Sequence, residues 1–314
     1  MKTTISQFAG LIFALNLGVA HAVDLKNLPY PEGAPTAEDI IRQVYFVNHF
    51  YAYRNFSIVQ REKNEITVLL SRAEGNRPKT ETVERHLNNA YDDGLVQSRD
   101  LAIFRSGKLR GTGILITDYV DDEKSQSYAI WLPSLRKIRR FAEPAHEDSW
   151  GGTDFTFGDV VLRKPKDETH ELVETTTFND CLGRMELGDQ KVYYLSAVPE
   201  ASCAPKGRQV YVVRSTPKRA GWWYDYRDSY VDTKSFADYR TRYFKDGAEI
   251  KRIDRDWRSM GLDDPRAQAW GYWYGKVFST GHETWAIIPP SVVEFNQEVD
   301  DDLWTERTLR RIRR

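Results

Sequence analysis

Short segments in which apolar and polar residues alternate recur along most of this chain and constrain its fold more than any other feature. An alternation with a period of two is typical of strands whose two faces meet different surroundings. Strands at roughly 10-residue intervals with few helices indicate a large antiparallel sheet, curved or closed into a barrel. The segments are residues 64–71, 100–105, 112–119, 127–132, 171–178, 185–186, 191–197, 208–215, 222–231, 238–244, 249–257, 270–279 and 283–288.

Helical patterns are confined to three places. Thr36 has the side chain of an N-cap, carboxylates follow it in the first turn, and apolar residues at helical spacing continue to about residue 50. A second helix is predicted near residues 301–312. The polar segment 77–93 is predicted to hold a short helix that serves as a lid or a surface insertion.

The first 22 residues have the pattern of a secretory signal peptide. Lys2 precedes an apolar stretch at residues 8–19, and Ala20 and Ala22 supply the small residues of a cleavage site. Neither cysteine follows that site directly, so the protein is not expected to be a lipoprotein itself. Because no later apolar stretch approaches the roughly 20 residues that span a bilayer, we expect a periplasmic protein in which residues 23–314 form a single domain.

The chain has two cysteines, Cys181 and Cys203. In an oxidising compartment the simplest interpretation is a disulfide between them. The alternative is a reactive thiol pair, which usually has the C-x-x-C spacing that is missing here.

Composition and motifs argue against several classes of function. The formal net charge of −1 gives no overall field that would attract nucleic acid. The sequence has neither a G-x-S-x-G nucleophile elbow nor an H-E-x-x-H zinc motif, and its Gly-rich segments complete no phosphate loop. A metal-dependent hydrolase would require His146 and Asp148 to converge with a further ligand. We expect no enzyme activity, no metal and no cofactor.

The stretch from Tyr128 to Arg140 is the most informative single piece of the sequence. An apolar strand leads through Pro133 into a cluster of cations. The cluster can be interpreted as a solvated strand end, as a contact for an acidic partner protein, or as a site for an anionic headgroup, which arginine forks bind bidentately. Its members are Arg136, Lys137, Arg139 and Arg140.

A second basic stretch covers residues 308–314. Leu309 and Ile312 lie on one helical face with cations around them, a pattern typical of interfacial or docking helices. The alternative is a frayed end with one apolar contact.

Several further motifs occur in a fixed order along the chain. Residues 131–140 are similar to the pattern Y-L-P-A-L-R-K-V-R-R, and residues 152–160 to G-S-D-F-S-Y-E-D-L. Six further segments each resemble a motif of the same set: residues 66–71, 111–116, 231–236, 243–247, 272–276 and 280–284. Together they resemble the periplasmic outer-membrane lipoprotein-sorting family related to the lipoprotein carrier LolA. Asp154 and Phe155 are expected to form a turn that closes over the sheet.

This resemblance implies a mainly β fold with some helix: a LolA-like half-open antiparallel β-barrel with a helical plug or lid. It implies a hydrophobic cavity for acyl chains in place of an active site. Members are often encoded beside transporters of the resistance-nodulation-division superfamily, which implies transfer of a lipid or acylated lipoprotein to or from an inner-membrane transporter, with transient membrane contact. The alternative is a periplasmic adaptor that docks such a transporter and has no ligand of its own.

The alternation also identifies candidate cavity residues. Ile114 and Ile116 share a face of one strand, and Tyr128, Ile130 and Leu132 share a face of the next. One face of each barrel strand points inward, so we expect these residues to line the cavity, although they are equally compatible with an ordinary core. The cations that follow them are then expected at the rim of the cavity or on a docking surface.

Overall fold

Fifteen antiparallel strands form one continuous sheet in the computed structural model, which describes residues 24–312 except residues 63 and 142. The predicted signal peptide and the last two residues lie outside the described residues. The strands are β1 (Asn55–Ile58), β2 (Thr67–Ala73), β3 (Lys79–Asn88), β4 (Val96–Phe104), β5 (Gly113–Tyr119), β6 (Ser127–Leu132), β7 (Lys137–Phe141), β8 (Glu168–Thr177), β9 (Gln209–Pro217), β10 (Tyr226–Asp232), β11 (Asp238–Lys245), β12 (Ala248–Ser259), β13 (Gln268–Val277), β14 (His282–Ile287) and β15 (Val293–Phe295).

The strand order leaves the sheet open. It runs β7-β6-β5-β4-β3-β2-β14-β13-β12-β11-β10-β9-β8, and β1 pairs beside this series with β3 and β15. The end strands β7 and β8 do not pair with each other. The sheet is therefore a half-open barrel, as predicted, with an inner and an outer face.

Helix α1 (Ala37–Asn48) lies on the inner side of the sheet. It begins as predicted: the Thr36 hydroxyl accepts from the Asp39 amide, and the Asp39 carboxylate accepts from the Thr36 amide. Its buried face packs against β8 and β9. At its end, the Asn48 side chain donates to Asp238 on β11 at 3.0 Å.

Helix α2 (Glu306–Arg311) and the helical turn Asp301–Trp304 cover the outer face of β4–β7. Leu309 and Trp304 are buried there against Leu101, Ile103 and Leu115. A Cβ atom on Gly113 would meet the Leu309 and Ile312 side chains, so the helix packs directly onto the strand. The apolar face formed by Leu309 and Ile312 is therefore part of a core and not a free docking face.

The disulfide between Cys181 and Cys203 is present and closes an irregular loop on the outer face, across a separation of 22 residues. Leu182 and Met185 of this loop are buried, and the Gly183 amide donates to Asp254 on β12 at 2.6 Å. The predicted strands at 185–186 and 191–197 are wrong: this part of the chain binds the sheet through side chains and single backbone bonds.

The predicted helix in residues 77–93 is also wrong, because this region forms the central strand β3, paired with β1, β2 and β4. The charges that made it resemble a surface segment are paired across the sheet. Arg85 donates to Asp100 at 2.9 Å, and Glu84 accepts from Arg105 at 2.6 Å.

Within the described part of the chain, each helix is too short or too polar to cross a membrane.

Replacing both cysteines, in the variant Cys181→Ser/Cys203→Ser, is expected to lower the free energy of unfolding by about 3 kcal/mol, because the unfolded chain regains the entropy of an open loop. Urea unfolding at neutral pH measures the difference. An unchanged free energy of unfolding would show that the packing of the loop, not its covalent closure, holds it on the sheet.

Candidate functional site

The inner face of the sheet is covered by residues 148–163, here called the plug segment. Its first turn uses Gly151 and Gly152 at φ 61° and 76°, conformations that glycine adopts without strain. The Thr153 hydroxyl donates to the Trp150 carbonyl at 2.6 Å, and the Trp150 amide donates to the Phe155 carbonyl at 2.8 Å. The turn expected around Asp154 and Phe155 is therefore present and lies against the sheet.

Three aromatic rings of the plug segment pack into the barrel. Phe155 is 3% exposed, and its ring centre lies 5.4 Å from that of Trp273 on β13. A Cβ atom on Gly275 would come within 2.8 Å of the Phe155 ring, so only glycine leaves room for it. Trp150 packs beside Phe104, and Phe157 meets Tyr128 edge-on at 5.8 Å.

One end of the plug segment is attached to β14 by a polar cluster. The Nδ1 atom of His282 lies 2.7 Å from both carboxylate oxygens of Asp154. The Thr284 hydroxyl donates to the same carboxylate at 2.6 Å and accepts from the Asp154 amide at 3.0 Å. The two motifs around Asp154 and His282, which are far apart in sequence, thus meet in one contact.

The other end is attached by a buried carboxylate, Asp159. Its oxygens accept from Lys251 at 2.6 Å, from the Tyr243 hydroxyl at 2.5 Å, from Arg163 at 3.2 Å and from the Thr156 amide at 2.9 Å. The side chain of Asp159 is fully buried and that of Lys251 is 4% exposed. Lys251 and Tyr243 belong to β12 and β11, so this cluster joins the plug segment to the middle of the sheet.

The pKa values of this cluster reflect its burial and its charges. Burial alone would raise the pKa of Asp159, but the charges of Lys251 and Arg163 outweigh it and hold that pKa well below the ordinary value. Burial lowers the pKa of Lys251 against the opposing charge of Asp159. Nearby, burial would raise the pKa of Glu168, but Arg227 and Arg163 lower it to about 2. At neutral pH Asp159 therefore holds the plug segment as an ionised carboxylate.

An apolar cavity of about 70 Å³ remains between the plug segment and the sheet. A cavity of about 150 Å³ holds a single benzene molecule. An acyl chain does not fit this one unless the plug segment moves. Its lining includes Trp150, Phe155 and Val160 from the plug segment and Leu69, Val83, Trp270, Trp273 and Ala286 from the sheet.

A protein-family model described as "Uncharacterized protein" matches residues 97–311, more than half of the chain. The chain belongs to this family. No curated protein matches it.

Solved structures share its architecture at low sequence identity. A Vibrio parahaemolyticus domain named for outer membrane lipoprotein sorting gives a TM-score of 0.63 at 12% identity, over 87% of this chain and 98% of that one. A DUF1329 family protein from Desulfovibrio piger gives a TM-score of 0.62 at 14% sequence identity, and the match covers 88% of this chain and 100% of that one. A LolA superfamily protein from Nitrosomonas europaea gives a TM-score of 0.53 at 11% sequence identity, and the match covers 88% of this chain and 100% of that one. The fold is LolA-like, as the motifs predicted.

The candidate cavity residues face the interior of this LolA-like barrel. Ile114 is paired with Ile130, and Ile116 with Tyr128, across β5 and β6. Ile114, Ile116 and Tyr128 are buried in the main core with Ile130 packed against it, and Leu132 is half-buried at the end of its strand. Different residues line the remaining apolar cavity. Contact between these five residues and a ligand stays a prediction.

The four cations of the basic cluster separate into different environments. Arg136 is an exposed turn residue at φ 48°. Lys137 and Arg139 are exposed on β7 and pair with Leu132 and Ile130 of β6, so they share the inward-facing side at the open edge of the sheet. Arg140 points to the other side and binds Glu306 of α2 at 2.7 Å.

His146 and Asp148 do not form a metal site. No group of three or more His, Cys, Asp or Glu side chains in the described part of the chain is arranged to hold a metal ion. The Nε2 atom of His146 lies 3.5 Å from Glu143, and its ring packs edge-on against Trp222. The convergence that a metal-dependent hydrolase requires is therefore missing from these residues.

Sequence reasoning missed the buried charges that hold the plug segment. A signal for them exists in residues 249–257, where Lys251 and Arg255 alternate in phase with Ile253 and Trp257. Cations on the same face of a strand as its apolar residues indicate charges that point into the interior and need buried partners. The identity of those partners, Asp159 and Asp238, cannot be read from the strand itself.

Replacing Lys251 with methionine is expected to destabilise the protein by about 3–5 kcal/mol at pH 7, because Asp159 loses its closest cation while it stays buried. The pKa of Asp159 in the folded variant should rise, so the lost stability should return as the pH falls and Asp159 takes up a proton. Unfolding free energies of the two proteins between pH 4 and 8 measure this.

Lys276→Met provides the matched control, since Lys276 pairs with the largely exposed Glu74. An exposed pair of this kind contributes about 1 kcal/mol or less. Equal losses in Lys251→Met and Lys276→Met would contradict the importance of the buried pair. Adding Asp159→Asn to Lys251→Met should recover part of the loss and so measure the interaction directly.

Proposed function

We propose that this protein is a periplasmic carrier that binds the acyl chain of a lipid or lipoprotein on the inner face of its sheet. The observation that carries the proposal is an apolar cavity covered by a segment that is attached to the sheet at two polar points. We infer that cargo enters when the plug segment moves away. The LolA-like fold and the lipoprotein-sorting name of one structural relative support this function.

The way the plug segment is held supports its displacement. Its contacts with the sheet are the Asp154 cluster, the Asp159 cluster and the packed rings, with no strand pairing to the sheet. Moving it would therefore leave the ladder of the sheet intact. Removal of the Trp150 and Phe155 rings would join the cavity to the space that they fill, along the apolar face of β2, β13 and β14.

The exposed cations Lys137 and Arg139 complete the proposal. They lie at the open edge of the sheet on the side of Ile130 and Leu132. An anionic headgroup at this edge would extend from an acyl chain held inside the barrel, and the candidate residues Ile114 and Ile116 would lie below it. We propose an inner-membrane transporter of the resistance-nodulation-division superfamily as the partner in transfer, and no catalytic role.

The small size of the cavity favours one alternative function. If the plug segment stays in place, the filled barrel is a rigid adaptor whose exposed cations dock a transporter, and no lipid is bound. The two functions differ in whether the interior ever accepts an acyl chain, which binding measurements decide.

Native mass spectrometry and lipid extraction of the protein purified from a bacterial periplasm should detect bound lipid, and a fluorescent fatty acid should bind the delipidated protein. Ala286→Phe, which fills the cavity, should weaken binding about tenfold or more, equivalent to at least two buried methylenes. Phe155→Ala, which removes a plug ring, should strengthen it. Ala248→Phe, at an exposed hairpin position, is the matched control and should change nothing.

The thermal midpoint of each variant verifies folding before binding is compared. Absence of lipid from the purified protein, together with no fatty-acid binding to the wild type or to Phe155→Ala, would contradict the carrier and favour the adaptor.

A further inference from the structure

A second pocket, separate from the apolar cavity, has a volume of about 290 Å³ and lies between the start of the described chain, α1 and the ends of β4 and β5. Its wall includes Tyr45, Tyr51, Gln97 and Asp118. Asp118 continues the inward-facing side of β5 after Ile114 and Ile116. Gln97 is the extra residue of a β-bulge between β4 and β5, a feature that often re-aims side chains beside binding sites.

The cations of this pocket are already paired. Lys164 lies 2.8 Å and Lys166 2.9 Å from the carboxylate oxygens of Asp122. Arg42 lies 3.4 Å from Glu38. Each of these cations is thus paired with a carboxylate other than Asp118, which Lys164 influences only through its charge.

Asp118 is the carboxylate that remains. It is 4% exposed, and within the described part of the chain it takes part in no ion pair. The Asp118 carboxylate accepts a hydrogen bond from the adjacent Tyr119 amide at 3.0 Å and contacts the Gln126 side chain. A buried carboxylate usually has a cation or several strong donors, so this position lacks a counter-ion.

An independent observation points to the same place. Tyr51 is 8% exposed, lines the pocket, and its hydroxyl is buried without a hydrogen bond of normal geometry. The Gln97 and Tyr45 side chains lie beside this hydroxyl. A carboxylate without an ion pair and a phenol without a hydrogen bond of normal geometry thus belong to residues that line one pocket.

We propose that this pocket binds a small organic ammonium group, with Asp118 as its counter-ion and the Tyr51 hydroxyl as a further hydrogen-bond partner. A primary ammonium supplies three donors for the carboxylate and the phenol oxygen, and the Tyr45 and Tyr51 rings provide the aromatic surroundings that favour organic cations. The site does not involve the plug segment or the acyl cavity, so it can be tested independently of carrier function.

The electrostatics of the site agree with this assignment. Burial raises the pKa of the Asp118 carboxyl, against the opposing charge of Lys164. A bound ammonium would return that pKa toward its ordinary value. Binding should therefore release a proton from the fraction of molecules in which Asp118 is protonated.

Calorimetric titration with ethanolamine tests the proposal. The wild type should bind it, Asp118→Asn should bind about tenfold more weakly or worse because a charge-assisted hydrogen bond is lost, and Tyr51→Phe should be weakened less. Asp189→Asn, a change of the same kind at an exposed position of the disulfide loop, should bind like the wild type. The Asp118→Asn variant should keep its thermal midpoint, since it removes an uncompensated buried charge.

Vesicles of phosphatidylethanolamine, compared with vesicles of phosphatidylglycerol, separate a lipid headgroup from a free amine as the source. Binding that depends on Asp118 with either ethanolamine or phosphatidylethanolamine vesicles supports the site and identifies its source. Absence of binding to both probes, or equal binding by the wild type and Asp118→Asn, would overturn it.

Discussion

The buried ion pair between Asp159 and Lys251 is the contact on which the interior of this protein depends. Burying two charges costs several kcal/mol per ion unless all remaining lone pairs and protons are satisfied. Asp159 meets this condition with four donors, three of them from side chains. The pair fixes where the plug segment lies, and the position of the plug segment fixes the volume of the cavity.

The two faces of the sheet are covered in different ways. The outer face has apolar packing under α2 and a loop closed by the Cys181–Cys203 disulfide. The inner face has α1 and the plug segment, which pack apolar side chains into the main core and are also attached by Asn48, Asp154 and Asp159 through hydrogen bonds and ion pairs. Under the proposed carrier function, the inner side is the side that opens while the sheet persists.

Much of the fold could be predicted because local patterns carried it. Strand β6 has the predicted bounds, α1 begins at the predicted cap, and the disulfide joins the only two cysteines. Strand β3 was not predicted because its many charged residues are typical of an exposed helix. In the structure these charges are paired across the sheet. The strand predicted at 191–197 does not form. The alternation of polar and apolar residues there belongs to a loop that packs on the sheet.

The candidate site was harder to predict because it depends on contacts between distant segments. The turn at Asp154 is visible in the sequence, but its partner His282 lies 128 residues away. Cavity volume follows from how deeply Trp150 and Phe155 insert, which no local pattern determines. The predicted lining residues belong to the interior of the barrel, but the apolar cavity lies farther along the sheet and is lined by other residues, so their role as lining stays a prediction.

The central claim is that the plug segment opens as a unit while the sheet stays folded. Native-state hydrogen exchange measures this directly, because amides released by local opening exchange with a smaller free energy than amides released by global unfolding. The account predicts that the amide of Asp154, which donates to the Thr284 hydroxyl on β14, exchanges through an opening that costs less than global unfolding, and that a bound fatty acid changes its exchange. Exchange of this amide at the same free energy as the amides of β12 and β13, with or without fatty acid, would contradict it.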